Sequence, residues 1–355
     1  MIKFLKNFIY KIKFQLYLKD YLTVMRNRMI IKNKLATIKS EIIDLNYDFK
    51  NYFTENIFNS LPINFSIFFS QYNMYRHIYP TKINKILLKK KKIIHPLTDE
   101  QVKILKKYNY DINIFLSKFL IFIACFVELF RGIFFFSITL FKSVFNLISF
   151  RKFNKKYIYI KDMNESQINS INSFNRNFKF WIEKKLNLRG YSLVHNNPAC
   201  KKKFIYNKFF IPELYSLKEI LKFLFLFLKL NIFFILDIIF FRFSHLLIYS
   251  EIIKLASSLA IKKENLKNLH FFFNTNPFFR PLYTYGLGKN VYYFDISIND
   301  KPIYYERKDL LYNANVKKLT WGNYIIWNED HKKIIQDNQK INANYKILGP
   351  ISFGP

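Results

Sequence analysis

Apolar and polar positions between Asn268 and Phe353 alternate in short blocks. Leu269-His270-Phe271-Phe272-Phe273 is an apolar run closed by the breakers Asn274-Thr275-Asn276-Pro277. Phe279 to Tyr285 is a helix-length segment that ends at Gly286 and Gly288. Val291 to Phe294 forms a second run, closed by Asp295. Tyr324 to Trp327 forms a third, with a helix starting at Asn328 and running from Glu329 to Asp337; Tyr345 to Leu348 forms a fourth, before Gly349-Pro350. Short apolar runs separated by helical segments of about ten residues predict parallel strands joined by crossover helices, the doubly wound α/β arrangement. Ligands of such sheets bind at the carboxyl ends of the strands.

Earlier in the chain, Tyr157-Ile158-Tyr159-Ile160 before Lys161-Asp162 predicts the strand that opens this α/β region. Asn164 to Leu186 has helical spacing, and Leu188 to Pro198 reads as a turn, a short run and a loop. Phe223 to Phe241, with Lys229, Asn231 and Asp237 inside it, continues through Arg242 and His245 towards Ala260. That pattern predicts a long apolar helical stretch at 215–260, packed on the sheet. Residues 1–110 form a basic region that is mainly helical by spacing (Leu35, Ile38, Ile42, Leu45, Phe49), with Thr98-Asp99-Glu100-Gln101 as a capped helix start running through Tyr108. Residues 111–150 are expected to be a membrane-associating hydrophobic helix or helices, residues 151–348 the α/β domain, and 349–355 the start of a linker.

Phe119 to Phe141 carries the strongest membrane signal. Lys118 and Lys142 flank it, and its only charges are Glu128 and Arg131, spaced i, i+3 so that they can pair on one helical face. The length suits a bilayer span, which needs about 20 apolar residues. An unpaired charge at mid-bilayer costs roughly 2.5–3.5 kcal/mol on insertion scales, which weighs against spanning. A span, an interfacial or re-entrant helix, and a buried helix all remain open on this pattern.

Composition changes the picture in one respect. The chain has 42 Phe and 25 Tyr against 7 Gly and 10 Pro, and a formal charge of +33. A charge of that size ordinarily signals nucleic acid or an anionic membrane. The favoured residues all have AT-rich codons, so Lys-for-Arg drift accounts for part of it. Among partners, an anionic membrane surface is favoured and nucleic acid disfavoured. Cys125 and Cys200 lie far apart, without metal-ligand or disulfide spacing. No dinucleotide, P-loop, zinc-protease or nucleophile-elbow motif is present.

Candidate chemistry collects at the ends of the predicted strands. His195 heads an Asn-Asn-Pro loop where a general base could sit, although a loop-capping histidine explains it equally. Asn274 and Asn276 follow a strand and open a predicted helix, so their backbone N–H groups could face a phosphate or sugar; a plain N-cap is the alternative. Arg280 could hold a phosphate or carboxylate. Asp295 ends a strand where acids often hold sugar hydroxyls. Glu329 opens a helix, where an acid complements the dipole for stability alone.

The segments Arg280-Pro281-Leu282-Tyr283-Thr284-Tyr285, Leu319-Thr320-Trp321, Ile325-Ile326-Trp327-Asn328-Glu329 and Leu348-Gly349-Pro350-Ile351 together resemble bacterial surface-carbohydrate (capsule or LPS-type polysaccharide) biosynthesis proteins, similar to GT-B glycosyltransferases. The resemblance covers roughly residues 155–355. It implies the N-terminal, Rossmann-like half of a GT-B-type fold, with Gly349-Pro350 leading to a second Rossmann-like domain on this chain or another. That second domain would hold the sugar nucleotide donor, leaving no cofactor on this half, and one half alone should not turn over. The implied activity is sugar transfer to a lipid-linked or growing glycan at the cytoplasmic face of the inner membrane. His195 and Asp295 would be the catalytic candidates, and Asn274, Asn276, Arg280 and Glu329 would contact substrate. Where the family pattern leads to an acid after Thr284-Tyr285, this chain has Gly286. The alternative from another class is a non-enzymatic basic subunit of a ribosomal or respiratory assembly, which predicts no βαβ unit in the last hundred residues.

Overall fold

In the computed structural model, seven strands hydrogen-bond side by side, all parallel, in the order β3-β2-β1-β4-β5-β6-β7. They are β1 (Tyr157–Lys161), β2 (Ser192–His195), β3 (Ile205–Tyr206), β4 (Leu269–Phe273), β5 (Val291–Phe294), β6 (Asn323–Ile326) and β7 (Asn344–Ile347). The structure describes residues 96–149, 156–161, 178–197, 204–273, 280–294, 321–339 and 343–349, with residues 41, 61, 63, 65, 68, 69 and 72. The α/β expectation is met, and the chain order reverses between β1 and β4, as in doubly wound sheets.

The inner strands β1, β4 and β5 are mostly apolar because both faces are covered, whereas the edge strands β3 and β7 are largely exposed. Period-2 alternation sends Tyr159, Phe271, Val291 and Tyr293 into one core, and Ile158, Phe272, Tyr292 and Phe294 into the other. Register aligns aromatic rings across strands: Tyr159 pairs with Phe271, and their rings stack at 4.7 Å. The second face is closed by α3 (Phe178–Lys185) through Ile182, with Leu188 beside it.

Three helices build the other side in two layers. Helix α5 (Tyr249–Ala260) lies innermost; ten of its twelve residues are buried, so it is enclosed on all sides. Outside it lie α2 (Ile114–Ile148, 35 residues) and α4 (Leu217–Ile239). Helix α1 (Asp99–Lys107) has the expected capping box, with Gln101 N–H donating to the Thr98 hydroxyl and Thr98 N–H donating to the Gln101 side chain. The expected Glu128–Arg131 pair forms within α2. Helix α6 (Glu329–Gln339) starts at Asn328, whose Oδ1 accepts from His331 N–H at 2.9 Å.

Two expectations need correction. The 215–260 stretch is not one helix. Helix α4 ends where Phe241 takes a left-handed φ of 58°. There the N–H groups of Phe241 and Arg242 donate back to the carbonyls of Ile238 and Asp237, the hydrogen bonding of a Schellman end with phenylalanine in glycine's usual place. A 3-10 segment, Phe243–Ile248, then turns the chain into α5, and His245 Nδ1 locks the corner at 3.0 Å from Asp237 Oδ2. Nor does a full helix fill 279–285. Residues 280–281 carry no helix and Leu282–Tyr285 is a single 3-10 turn, because Pro281 has no N–H to donate and disfavours helical geometry at the residue before it.

Helix α2 approaches α5 closely at Gly132. A Cβ there would lie 2.3 Å from the Tyr249 ring. That ring cannot yield: it is fully buried, its hydroxyl donates to Asn231 Oδ1 at 2.8 Å, and Phe234 packs against it. Gly132→Ala should therefore destabilise the protein by about 1–3 kcal/mol through overpacking, overriding the roughly 1 kcal/mol that alanine gains in a helix. Urea unfolding tests this, and an unchanged or raised midpoint would contradict the packing.

His270 in β4 stacks flat against Tyr292 and edge-on against Tyr191. Burial, then the nearby Lys346 cation, pushes its pKa down from 6.5 to about 4. Between those values the unfolded chain holds a proton that the folded chain excludes. The imidazole therefore leaves stability untouched above pH 6.5 and subtracts from it progressively as pH falls towards 4. The melting temperature of the native protein should fall more steeply across that window than that of His270→Gln; parallel profiles would refute the assignment.

Candidate functional site

The reversal of strand order opens a crevice beyond the carboxyl ends of β1 and β4. Lys161 closes β1, Asn196 follows β2, and Lys208, Phe209 and Phe210 follow β3. From the other side come Pro281 and Tyr283, and from the start of α5 come Glu251 and Lys254. Together these nine residues line a cleft of about 150 Å³, room for a phosphate or a hydroxyl with a few waters.

Local structure explains why each side chain is there. Asn207 Oδ1 accepts from the N–H groups of Phe209 and Phe210, and its amide donates to Ile211 O, so a short side-chain-bonded loop presents Lys208. In that loop Phe210 holds a φ of 55°, a rare left-handed conformation for a bulky residue. Its ring is wedged against Tyr159, Phe271 and Phe273, and that packing holds the conformation.

Glu251 is the centre of the cleft's chemistry. Its side chain is 7% exposed, and one oxygen accepts from Lys254 Nζ at 2.6 Å. The second oxygen is buried and has no hydrogen-bond partner among the described residues. A buried carboxylate oxygen left without a donor is costly, so the geometry suits an incoming hydroxyl or N–H. The first turn of α5 favours the negative charge through the helix dipole. Among the described lining residues three lysines accompany one acid, a balance suited to an anionic group.

The residues expected from sequence are placed as follows. His195 ends β2, 1% exposed, with its Nδ1 accepting from Asn197 N–H at 3.2 Å. It caps its own loop, and its neighbour Asn196 reaches the cleft instead. Arg280 stacks over Tyr285 at 3.7 Å and near Trp321, and its Nε donates to Thr284. Burial draws its pKa below the ordinary guanidinium value. It props up the segment that carries Pro281 and Tyr283. Glu329 is exposed, pairs with Lys332 at 3.2 Å and lies away from the cleft. Asn274, Asn276 and Asp295, like Cys200, fall outside the described residues. Gly286, where an acid was expected, packs directly on α5: a Cβ would lie 2.2 Å from Ser258 Oγ and 2.9 Å from Leu259 N. No side chain fits there.

Glu251 and Lys254 escaped sequence reasoning, although they are the only charges between Leu246 and Ala260 and sit at i, i+3. A larger cavity, about 540 Å³, opens between Thr98, Lys118, Phe241 and His245. It lies by the N-terminal half of α2, away from the strand ends. No family model, curated protein or solved structure matches this chain.

The cleft predicts a charge-dependent affinity for anions. Lys161→Ala and Lys208→Ala should each weaken binding of inorganic pyrophosphate by about tenfold, roughly 1.4 kcal/mol, whereas Glu251→Gln should strengthen it by removing a like charge. Titration calorimetry at low salt reads all three; equal affinities would rule out the cleft as an anion site.

Proposed function

We propose that this chain is the acceptor-side, Rossmann-like domain of a GT-B-type glycosyltransferase of surface polysaccharide assembly, working at the cytoplasmic face of the inner membrane. The observation that supports it most is Glu251, a buried carboxylate whose second oxygen has no partner among the described residues, in a lysine-lined cleft at the strand ends. A second Rossmann-like domain would supply the sugar nucleotide. The acceptor hydroxyl would donate to Glu251 Oε2 and lose its proton there as its oxygen bonds to the sugar C1. The bond from C1 to the donor's diphosphate breaks, its electron pair leaving with the nucleoside diphosphate. Lys161, Lys208 and Lys254 would hold an acceptor phosphate close by.

Glu251 is assigned as the base in place of His195, whose ring is buried and already accepts from Asn197 N–H. Asp295 stays a catalytic candidate beside Glu251, and Asn274 and Asn276 stay candidate substrate contacts. The basic-subunit alternative stands second, because it predicts no βαβ unit where β4, β5, β6 and β7 run parallel.

The test is sugar transfer from sugar nucleotides to a lipid-linked glycan by the intact protein together with its donor domain. Glu251→Gln should lower kcat by about 100-fold or more with little change in KM, and His195→Ala should affect turnover far less. Full turnover in Glu251→Gln would overturn the base assignment. Absence of transfer across the nucleotide sugars would overturn the reading.

A further inference from the structure

Helices α2 and α4 both turn apolar faces outward. The buried seam of α2 runs through Ser117, Glu128, Gly132, Thr139, Ser143 and Asn146, mostly polar or small. Its opposite face shows Phe119, Phe126, Phe130, Phe134, Phe141 and Ile148 to the outside, Phe141 at 75% exposure. Helix α4 buries Glu219 and Asp237 among the apolar Ile220, Phe223, Leu230 and Phe234, and it too presents an apolar face outward, with Leu221, Phe225, Leu228, Ile232, Ile235 and Ile239. The two helices pack side by side, Phe136 stacking on Phe227 at 3.6 Å, so their outward faces form one apolar surface.

The charges bordering that surface say what covers it. All three acids of these helices, Glu128, Glu219 and Asp237, are buried. Every charge they leave at the surface is positive: Lys118, Arg131 and Lys142 on α2, which pair with Asp99, Glu128 and Glu213, and Lys218, Lys222 and Lys229 on α4. At 100° per residue these cations flank the apolar stripe and leave its centre uncharged, the layout of helices lying in a lipid interface, with long basic side chains reaching the headgroups. A second copy of the chain on this face would set one border of cations against another.

We propose that the outward face of α2 and α4 seats the protein in an anionic bilayer surface, both helices lying in the plane of the membrane. The in-plane orientation follows from how α2 is held. Cys125 Sγ–H donates to Phe243 O, the Ser250 hydroxyl donates to Glu128, Phe135 packs on Phe209, and Asn146 donates to Glu213. A helix tied to one domain from Cys125 to Asn146, about 33 Å, could cross a hydrocarbon core of about 30 Å only by drawing that domain into it. The proposal takes up the membrane setting of the transferase reading but not its chemistry, so lipid binding without sugar transfer would sink that reading and leave this one standing.

The experiment is flotation of the full chain with vesicles of 30% phosphatidylglycerol in phosphatidylcholine, beside pure phosphatidylcholine. Binding should be at least tenfold stronger to the anionic vesicles, weaken with salt, and fall at least tenfold in Phe126→Ser/Leu228→Ser. Phe119→Trp, Phe130→Trp and Phe141→Trp, read against the native tryptophans, should be quenched by brominated lipid to one shallow depth. Deep quenching at 130 with shallow ends would show a span and overturn the in-plane seat. A doubled mass in vesicle-free buffer, or blue-shifted emission of Phe130→Trp before lipid is added, would show that a second copy or the chain's own N-terminal residues cover the face. Undiminished flotation of a folded Phe126→Ser/Leu228→Ser protein would also overturn the proposal.

Discussion

The contact on which the molecule turns is the close approach of α2 to the first turn of α5. With no side chain at Gly132, the Tyr249 ring lies against the α2 backbone, and the next residue, Ser250, donates its hydroxyl to Glu128. Glu128 in turn holds Arg131, so the buried acid is satisfied on both oxygens. The residue after Ser250 is Glu251. One helical turn thus grips the outer layer with two side chains and offers its third to the cleft. Rotating α5 enough to lose the Gly132 contact would also turn the carboxylate away from Lys161 and Lys208.

That arrangement uses polar groups where an ordinary soluble helix uses apolar ones. Glutamate, serine, threonine and asparagine share the buried side of α2 with Cys125 and Phe135, so hydrogen bonds and close backbone approach hold the seam together with apolar packing. Such a seam tolerates little error, because a half-satisfied buried network is worse than none. Asn146 meets this demand at the far end by donating to Glu213, which Lys142 also contacts. The apolar side chains displaced from the seam make up the outward face. The same substitution pattern therefore explains both the tight packing of α2 on α5 and the apolar surface opposite it.

Sequence patterning showed most of this frame. The runs at 157–160, 269–273 and 291–294 became strands because each is apolar on both faces, a signal that central parallel strands give strongly. Helix α1 was legible from one capping box. β3 was not legible: two residues, Ile205 and Tyr206, carry no period. The break after α4 was hidden because phenylalanine occupies a position where glycine usually marks the end. Glu251 was overlooked because an acid inside an apolar helix is recognisable as a site only when its neighbours in space are known, and Lys161, Asn196 and Lys208 come from three separate strand ends. Gly286 shows the converse: a missing acid suggested altered chemistry, whereas the space against Ser258 admits no side chain.

The cleft and the apolar face meet at one side chain. Lys208 lines the cleft, and its ammonium lies 5.9 Å from the ring of Phe134, which faces outward from α2. Phe209, beside it in sequence, lines the same cleft and packs edge-on against Phe135. A cation on a long apolar stem at the border of a phenylalanine surface sits naturally at headgroup height. With the face seated in lipid, the mouth of the cleft would open where phosphates of membrane-bound molecules lie. An acceptor carried on a lipid anchor would then need to lift only its polar end to reach Glu251, and its apolar tail would stay in the bilayer. This spares the large cost of drawing a long hydrocarbon into water, about 0.8 kcal/mol for each methylene. A soluble acceptor would gain nothing from that placement, so under the proposed transferase reading the juxtaposition of Lys208 and Phe134 fits a lipid-linked acceptor better than a free one.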